Sequence, residues 1–211
     1  TLNEEKKIGA CLASLNFVDE IIVVDSGSTD KTEDICRQYS YVRFYHQPWL
    51  GYGPQKNYAL SLASGEWILS IDADEVVPPD LADEIIANVK TDHGFSGFWV
   101  KRKNMYKKQW IRYGGWWPDT ILRVFRKGKG QFSNRRVHES VEIDGNTKEL
   151  QAALEHYSYN GPEDFILKMH SYAMAGARQM QDDGRTGGAI RAVIRAFAAF
   201  VKGYILKRGF L

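Results

Sequence analysis

The sequence has few cysteines and no long hydrophobic run, and these absences exclude several classes of protein. Its 211 residues include two cysteines, Cys11 and Cys36, which are too few for a disulfide framework or a cysteine-rich metal cluster. Both fall inside predicted helices and are interpreted as buried apolar side chains. Because no run of about 18 apolar residues is present, the sequence predicts no membrane-spanning helix. A hydrophobic fraction of 44% and a charged fraction of 26% are those of an ordinary globular protein.

Acidic side chains are scarce in two stretches, so charge is segregated along the chain. Residues 1–100 carry 7 Lys or Arg and 16 Asp or Glu, whereas residues 101–136 carry 12 basic side chains and 1 acidic one. Residues 137–183 carry 3 basic and 9 acidic side chains, and residues 184–211 carry 6 basic and none acidic. The formal net charge of +2 hides this order. Blocks of opposite sign predict that different parts of the chain meet differently charged partners.

Short apolar runs alternate with helical patterns over the first hundred residues. Residues 21–24 and 67–71 are apolar runs of the kind found in buried parallel strands. Helical spacing is seen, for example, at Ile8, Leu12 and Leu15, and Pro54 is predicted to begin a helix that ends at Ala63. This alternation predicts an α/β fold with a mostly parallel sheet flanked by helices. In such sheets ligands bind beyond the carboxyl ends of the strands. Two acidic turns of this chain, at Asp25 and at Asp72, fall at such ends.

The segment Asp72-Ala73-Asp74-Glu75 follows the second apolar run and is the strongest local signal. Three carboxylates within four residues repel one another unless a metal ion, or a Lys or Arg, lies among them. Mg²⁺ and Mn²⁺ prefer carboxylate oxygens and leave coordination positions for phosphates. A solvent-exposed turn is the alternative, but the place of the motif at a strand end favours a metal site.

The segment 25–30, Asp-Ser-Gly-Ser-Thr-Asp, is the second acidic turn. A carboxylate that ends a strand can accept hydrogen bonds from a nucleobase or ribose, and Gly27 permits close approach of the backbone. The alternative is a helix-capping turn without a ligand. Under either interpretation Asp30, three residues before Glu33, is predicted to cap the next helix.

Four motifs in this order resemble the inverting family 2 glycosyltransferases. They are Thr1-Leu2-Asn3-Glu4, residues 23–30 (Val-Val-Asp-Ser-Gly-Ser-Thr-Asp), residues 53–57 and residues 71–75. With Arg-Arg-Val-His-Glu-Ser at 135–140 and His-Tyr-Ser-Tyr at 156–159, the chain is similar in particular to bacterial lipopolysaccharide-core β-1,4-glucosyltransferases. The resemblance covers roughly residues 1–160 and implies the GT-A fold, a Rossmann-like, mostly parallel central sheet flanked by helices.

The resemblance also implies an arrangement of domains. A GT-A domain is expected over residues 1–160, with its nucleotide-binding half over 1–96 and its acceptor half over 97–160. Residues 161–211 are expected to form a helical C-terminal extension. In the family the first strand precedes the Thr-Leu-Asn-Glu segment, so that strand is expected to be missing from this chain.

Roles for single residues follow from the same resemblance. The nucleotide and its sugar are expected to meet residues of the first three motifs and of the Asp72 turn, whereas a divalent ion, Mg²⁺ or Mn²⁺, is expected at the end of that turn. The positions expected to contact the nucleotide are Leu2, Glu4, Asp25, Ser26, Lys56, Asp72 and Ala73, and those expected to hold the metal are Asp74, the main ligand, and His156. For Asp72 the resemblance implies contact with either the ribose or the metal. For His156 the alternative is a core histidine.

An inverting transfer needs a base that deprotonates the acceptor hydroxyl. Glu139 is the predicted base, because the resemblance places residues 137–139 where many members of the family carry an acidic pair. His138 is the second candidate, because imidazole titrates nearer neutrality. The alternative for both is a structural position on a surface strand.

The basic block at 101–136 is rich in tryptophan and tyrosine. Aromatic faces stack on sugar rings and Arg or Lys pair with phosphates, so the block suits a phosphorylated or lipid-linked glycan acceptor. The loop 114–119 is expected to close on donor and acceptor, with Asp119 as an acceptor contact. A nucleic acid is the other ligand such a block can bind, but the four motifs favour the glycan.

The last block, from Ala189 onward, combines apolar residues at helical spacing with flanking arginines and lysines. A basic amphipathic helix predicts contact with the surface of an anionic membrane leaflet. The alternative is a helix packed on its own domain.

The resemblance implies a metal-dependent, inverting transfer of glucose from UDP-glucose to a lipopolysaccharide inner-core acceptor. The chain is expected to act in the cytoplasm, as a peripheral protein on the inner face of the bacterial inner membrane, without a nucleic-acid partner. Three alternatives remain open: transfer to another membrane-linked glycan, a sugar-nucleotide-forming nucleotidyltransferase, and a non-catalytic nucleotide- or membrane-binding module. The nucleotidyltransferase is disfavoured because residues 1–9 contain no glycine-rich phosphate loop.

Overall fold

A computed structural model describes residues 1–91, 93–133, 140–159, 161–184 and 188–211. The helices are α1 (Ile8–Ala13), α2 (Thr32–Cys36), α3 (Tyr52–Leu62), α4 (Pro79–Lys90), α5 (Pro162–Asp182) and α6 (Ala189–Phe200), followed by a π-helical segment, Val201–Leu206. The strands are β1 (Ile21–Asp25), β2 (Val42–His46), β3 (Trp67–Leu69), β4 (Glu75–Val76), β5 (Phe95–Tyr106), β6 (Gln109–Trp110), β7 (Thr120–Arg126), β8 (Gly130–Phe132), β9 (Val141–Ile143) and β10 (Asn146–Tyr159).

Contacts within the chain divide it into two compact units. Unit 1 consists of Thr1–Arg102 and Thr120–His156, and unit 2 of Lys103–Asp119 and Tyr157–Leu211. The long strands β5 and β10 contribute residues to both. Residues 103–119, which the sequence assigns to the acceptor half, therefore group with the C-terminal helices.

In unit 1, β1 and β2 form a parallel pair in which Asp25 lies opposite His46. The alternation of strands and helices in the sequence predicts this parallel pairing. Asp25 is the last residue of β1, and Asp72 follows the end of β3 by three residues. Both acidic turns thus lie at the carboxyl ends of strands, as expected.

A six-stranded sheet has the order β3-β7-β5-β10-β4, and β6 pairs with the end of β5. The pairs β3 with β7, β5 with β7 and β4 with β10 are antiparallel. In the last of these, Glu75 lies opposite His156. This register brings the turn at residues 72–75 next to a histidine from a distant part of the sequence.

The core of unit 1 contains the apolar residues that the sequence places on one face of each helix. Ile8 and Leu12 of α1 and Leu81 of α4 are each at most 3% exposed. Cys11 and Cys36 are buried in α1 and α2, which confirms their interpretation as apolar core residues. Full burial of a large aliphatic side chain contributes roughly 1.5–3 kcal/mol.

Helix α3 begins earlier than the sequence predicts. The sequence predicts a start at Pro54, whereas the helix starts at Tyr52, because Gly51, with a φ of +101°, turns the chain there and its carbonyl accepts the Gln55 amide at 2.9 Å. Pro54 lies in the first turn, where its missing N–H removes no helical hydrogen bond. Lys56 is consequently one turn into a regular helix.

Glu20 holds the turn that connects α3 to β3. Its carboxylate accepts hydrogen bonds from the Ser64 amide at 2.5 Å, the Ser64 hydroxyl at 2.8 Å and the Gly65 amide at 3.1 Å, and pairs with Arg43 at 3.1 Å. These contacts, the Ser64 amide foremost, lower the pKa of Glu20 to about 2. Since α3 carries Lys56 and β3 leads to the Asp72 turn, Glu20 fixes the connection between two elements of the site.

We expect Glu20→Gln to lower the free energy of unfolding by about 1–2 kcal/mol near neutral pH, because a neutral oxygen accepts these bonds more weakly than a carboxylate. The pKa of Glu20 is lower in the folded chain than its usual 4.5, so the contribution of the charge is complete above about pH 4.5. It is lost as the pH falls toward about 2. Urea denaturation across this range should show the wild-type and variant free energies converging below about pH 4.5.

Glu142→Gln is the matched control, because Glu142 is an exposed glutamate on β9 of the same unit. A loss in this control equal to that of Glu20→Gln would contradict the role of Glu20. So would a difference between wild type and Glu20→Gln that does not shrink in acid.

Candidate nucleotide and metal site

The first acidic turn is built around the carboxylate of Asp25, which is 1% exposed. Its Oδ2 accepts the amides of Gly27 at 2.9 Å and Ser28 at 2.8 Å, and its Oδ1 accepts the Ser28 hydroxyl at 2.5 Å. Burial raises the pKa of Asp25, but these hydrogen bonds outweigh it and leave the pKa below its usual value. Gly27 has a φ of +104°, a conformation that favours glycine. The carboxylate therefore holds the loop through the loop's own donors.

The N-terminal segment is bonded to the same turn. Thr1 lies beside the end of β1, where its amino group donates to the Val24 carbonyl at 2.5 Å and its carbonyl accepts the Ser26 amide at 2.9 Å. Asn3, which has a φ of 53°, accepts the Thr29 amide at 2.8 Å. Hydrogen bonds thus join the first sequence motif, at residues 1–4, to the second, at residues 23–30.

The predicted nucleotide-contacting residues line one cavity of unit 1, with the exception of buried Asp25. The cavity has a volume of about 940 Å³, which is within the usual range for a ligand of nucleotide size. Asp74, predicted to hold the metal, lines it as well. The predicted nucleotide contacts in its lining are Leu2, Glu4, Ser26, Lys56, Asp72 and Ala73.

Gln55 belongs to this site although the sequence analysis missed it. Its side chain is 6% exposed and donates to the Ser26 hydroxyl at 3.1 Å and the Gln47 carbonyl at 3.2 Å. Its Oε1 accepts the Leu50 amide at 3.2 Å. Gln55 therefore fixes Ser26 from α3, and its signal in the sequence is its place beside Lys56 in the third motif.

In the second acidic turn, Asp72 lies between two basic side chains. The Lys56 Nζ is 3.0 Å from Asp72 Oδ1, and the Arg123 Nη2 is 2.6 Å from Asp72 Oδ2. Burial raises the pKa of Asp72, but Arg123 and Lys56 together hold it well below its usual range. Asp72 is therefore ionised, and each of its oxygens has a cationic partner.

Glu75 completes a buried ion cluster with Asp72 and Arg123. Its side chain is fully buried, its Oε1 bonds to Arg123 and lies 3.3 Å from Arg102 Nη1, and its Oε2 accepts the Asp72 amide at 3.0 Å. Burial lowers the pKa of Arg123, but Asp72 and Glu75 raise it above its usual value. Arginine side chains thus lie among the carboxylates of residues 72–75. From the sequence, a metal ion and a Lys or Arg were the two alternatives expected to offset the repulsion between these carboxylates.

Neither arginine of this cluster was predicted as a site residue. Arg123 is 2% exposed and lies on β7 between Leu122 and Val124, which are also buried. An arginine in the middle of the apolar run at residues 121–125 is the signal that could have identified it, since a buried charge needs a partner.

Asp74 lies beside His156. Asp74 Oδ1 is 3.4 Å from His156 Nε2, and Asp74 Oδ2 is 3.8 Å from Lys7 Nζ. The Asp74 and His156 side chains are 11% and 14% exposed. The sequence-predicted pair of metal ligands is therefore brought together by the pairing of β4 with β10.

The donor set of this pair fits a divalent ion. Neighbouring ligands of an octahedral Mg²⁺ lie roughly 3 Å apart, close to the separation of Asp74 Oδ1 and His156 Nε2. Substrate phosphates and water usually supply the other ligands of such an ion. Within the described parts of the chain, no group of three or more His, Cys, Asp or Glu side chains could hold a metal. The metal role of the pair remains a prediction.

The two candidate bases cannot be placed in this geometry. His138 and Glu139 both lie outside the described residues. Their assignment remains a prediction from the sequence.

Residues 1–157 match the family Glycosyl transferase family 2. The chain belongs to glycosyl transferase family 2. It is 33% identical over 195 residues to the lipopolysaccharide core biosynthesis glycosyltransferase LpsC of Rhizobium meliloti, which covers 87% of this chain and 70% of that protein. An uncharacterized glycosyltransferase of Rickettsia felis is 31% identical over 224 residues, covering 100% of this chain and 78% of that protein.

Solved structures with a similar fold are also known. One structure of S. aureus TarS 1-349 superposes with a TM-score of 0.54 at 21% identity, covering 83% of this chain and 63% of that chain. TarS 1-349 in complex with UDP-GlcNAc gives a TM-score of 0.57 at 19% identity, covering 78% and 58%. The chain thus spans less than two thirds of these TarS chains. The predicted GT-A fold and the glycosyltransferase class are confirmed.

Proposed function

We propose that this family 2 glycosyltransferase transfers a hexose, with inversion at the anomeric carbon, from a nucleotide sugar to a lipopolysaccharide inner-core acceptor. UDP-glucose is the proposed donor. The observation that carries the proposal is that Lys56 of α3 and His156 of β10 lie beside Asp72 and Asp74, in the turn that follows β3. The similarity to LpsC supports the acceptor class, and the UDP-GlcNAc complex of TarS supports a UDP-sugar donor.

Lys56 is the residue proposed to bind the diphosphate of the donor. It lines the cavity, and its ammonium lies 3.0 Å from Asp72 and 5.5 Å from the centroid of the Phe132 ring. A diphosphate carries more negative charge than a single carboxylate, so a lysine at the cavity wall has a stronger partner when the donor is bound. Asp72 then keeps Arg123 as its counter-ion.

Asp74 and His156 are proposed to hold Mg²⁺ or Mn²⁺ through a carboxylate oxygen and the neutral Nε2. When bound there, such an ion supplies positive charge to the diphosphate as it leaves. Lys7, 3.8 Å from Asp74, places a further positive charge beside the same carboxylate.

The acceptor is proposed to meet the basic and aromatic stretch of unit 2. The rings of Trp110 and Trp117 are 5.0 Å apart, and the Arg112 guanidinium lies 4.4 Å from the Trp110 centroid. Such a group offers an aromatic face to a sugar ring and a cation to a phosphate. A phosphorylated or lipid-linked glycan is therefore the proposed partner, and a nucleic acid is not.

The reaction is proposed to take place in the cytoplasm, at the inner face of the bacterial inner membrane. Nucleotide sugars are water-soluble and a lipid-linked acceptor is held in the membrane, so the two substrates meet at that surface. The chain is proposed to act there as a peripheral protein.

Glu139 is proposed to remove the proton of the acceptor hydroxyl, with His138 as the alternative base. We expect Glu139→Gln to lower kcat for transfer from UDP-glucose by about 10²–10⁴-fold while leaving UDP affinity within about twofold of wild type. Transfer is measured with purified inner-core acceptor and Mn²⁺, and UDP affinity by titration calorimetry.

His138→Gln is the matched control and should retain most of its turnover. A loss confined to His138→Gln would move the base to that residue. Failure of the wild type to transfer from UDP-glucose or any other UDP-sugar, despite binding UDP, would overturn the proposed function itself.

A further inference from the structure

Helix α6 exposes a row of large apolar side chains, here called the apolar face. It consists of Ile190, Val193, Ile194 and Phe197, with exposed fractions of 79%, 68%, 62% and 69%. Spacings of one, three and four residues place them on one side of the helix. Exposed apolar groups of this extent mark an interaction surface.

Basic side chains accompany the apolar face. Arg191 and Arg195 lie one turn apart on α6, Lys207 and Arg208 follow the π-helical segment, and no acidic residue follows Asp183 in the sequence. Two copies of this surface would bring like charges together. Anionic lipid headgroups, in contrast, complement the charges. The charge pattern therefore favours an anionic membrane over a second copy of the chain.

The apolar character continues beyond α6. Tyr204 stacks on Phe200 with ring centroids 5.1 Å apart, and Leu206 and Phe210 are 73% and 57% exposed. The 12 residues of α6 span about 18 Å, whereas a bilayer core is about 30 Å thick. A helix of this length and pattern lies along a membrane surface. Among the described helices, none combines the length and the hydropathy of a membrane span.

The segment after α6 is bonded to the loop that the sequence assigns to the acceptor. The Gly114 amide donates to the Lys207 carbonyl at 2.9 Å. Gly115 has a φ of +91°, and a Cβ at this position would lie 2.8 Å from the Cδ and Nζ of Lys207. Loop and C-terminal segment belong to the same unit. A change in the position of one is therefore transmitted to the other.

We infer that residues 189–211 bind the surface of an anionic membrane and thereby hold the loop at residues 114–119 close to it. The apolar face enters the headgroup region, and the arginines and lysines beside it pair with lipid phosphates. The Gly114–Lys207 hydrogen bond joins this membrane contact to the loop. The inference rests on the proposed function in one respect, namely that the acceptor which the loop meets is lipid-linked.

Sedimentation of the full chain with lipid vesicles tests the membrane contact. We expect binding to vesicles of phosphatidylglycerol and phosphatidylcholine, and at least about tenfold weaker binding to phosphatidylcholine alone. Ile194→Asp and Phe197→Asp should each weaken binding to the anionic vesicles at least about tenfold. Ala192→Asp is the matched control, because it adds the same charge at an exposed site on the opposite side of α6 and should bind nearly as wild type.

Two results would overturn the membrane contact. One is an equal loss in Ile194→Asp and Ala192→Asp, and the other is wild-type binding that does not depend on anionic lipid. A wild-type dimer in sedimentation velocity that Ile194→Asp dissociates would instead assign the apolar face to a second copy of the chain. Circular dichroism on each variant verifies that its helices are intact.

Hydrogen exchange tests the link between membrane and loop. Anionic vesicles should slow exchange of the Gly114 amide at least about threefold in the wild type, because its partner Lys207 is held at the membrane. Ile194→Asp should show no slowing. Unchanged exchange at Gly114 in vesicle-bound wild type would overturn the link. Neither assay uses sugar transfer, so failure of this inference and failure of the proposed function are separate outcomes.

Discussion

Asp74→Ala is expected to abolish the Mn²⁺-dependent part of UDP binding and to lower transfer at least about 100-fold. Among the described residues, the carboxylate of Asp74 and the Nε2 of His156, 3.4 Å apart, are the pair predicted to hold one ion. Removal of the carboxylate leaves a single imidazole, which holds Mg²⁺ or Mn²⁺ poorly because these ions prefer oxygen. Calorimetric titration of UDP with and without Mn²⁺ measures the effect directly.

The matched control for this experiment is Asp144→Ala. Asp144 is 80% exposed and pairs with Lys129 at 2.7 Å, away from the cavity residues. It should change neither UDP affinity nor the response to Mn²⁺. Undiminished Mn²⁺-dependent UDP binding by Asp74→Ala would remove the metal assignment, whereas loss of binding with and without Mn²⁺ would assign Asp74 to the nucleotide instead.

Arg123→Met is expected to lower the free energy of unfolding by about 3–5 kcal/mol. It removes a cation bonded to both Asp72 and Glu75. Glu75, which is fully buried, then keeps Arg102 at 3.3 Å as its cationic partner among the described residues. Methionine fills most of the volume, so the loss arises mainly from uncompensated charge rather than from a cavity. Denaturation in urea, followed by circular dichroism, gives the value.

Arg126→Met is the matched control on the same strand. Arg126 pairs with Glu66, which is 71% exposed, so this ion pair contributes about 1 kcal/mol or less. If Arg123→Met does not fold, Arg123→Met combined with Glu75→Gln should restore part of the stability, because both buried charges are then removed. Equal losses in Arg123→Met and Arg126→Met, or no gain in the double variant, would contradict the buried cluster.

Much of the fold could be predicted from local patterns. The apolar residues of α1, for example Ile8 and Leu12, are buried as their spacing indicates, because a helix must bury its apolar side. The acidic turns at Asp25 and Asp72 lie at strand ends as expected, because an apolar run that stops at a carboxylate stops where the buried strand leaves the sheet. Such features depend on neighbours within a few residues.

The start of α3 and the role of Gln55 were not predicted, because both depend on where the chain turns before the helix. The sequence signal of Pro54 as a first helical residue is strong, but Gly51 turns the chain two residues earlier than a proline-led start requires. Gln55 consequently faces Ser26 and fixes the first acidic turn from α3. Helix propensity does not predict how a helix is oriented toward the elements that it packs against.

By itself the sequence determined the family, the order of the motifs and the types of side chain at the site, because these depend on residue identity and spacing alone. The tertiary structure decided which charges meet. The register of β4 with β10 places His156 beside Asp74, and the pairing of β7 with its neighbours inserts Arg123 between Asp72 and Glu75. Ionic contacts act over a few ångströms, whereas these partners are tens of residues apart in sequence, so only the folded sheet selects them.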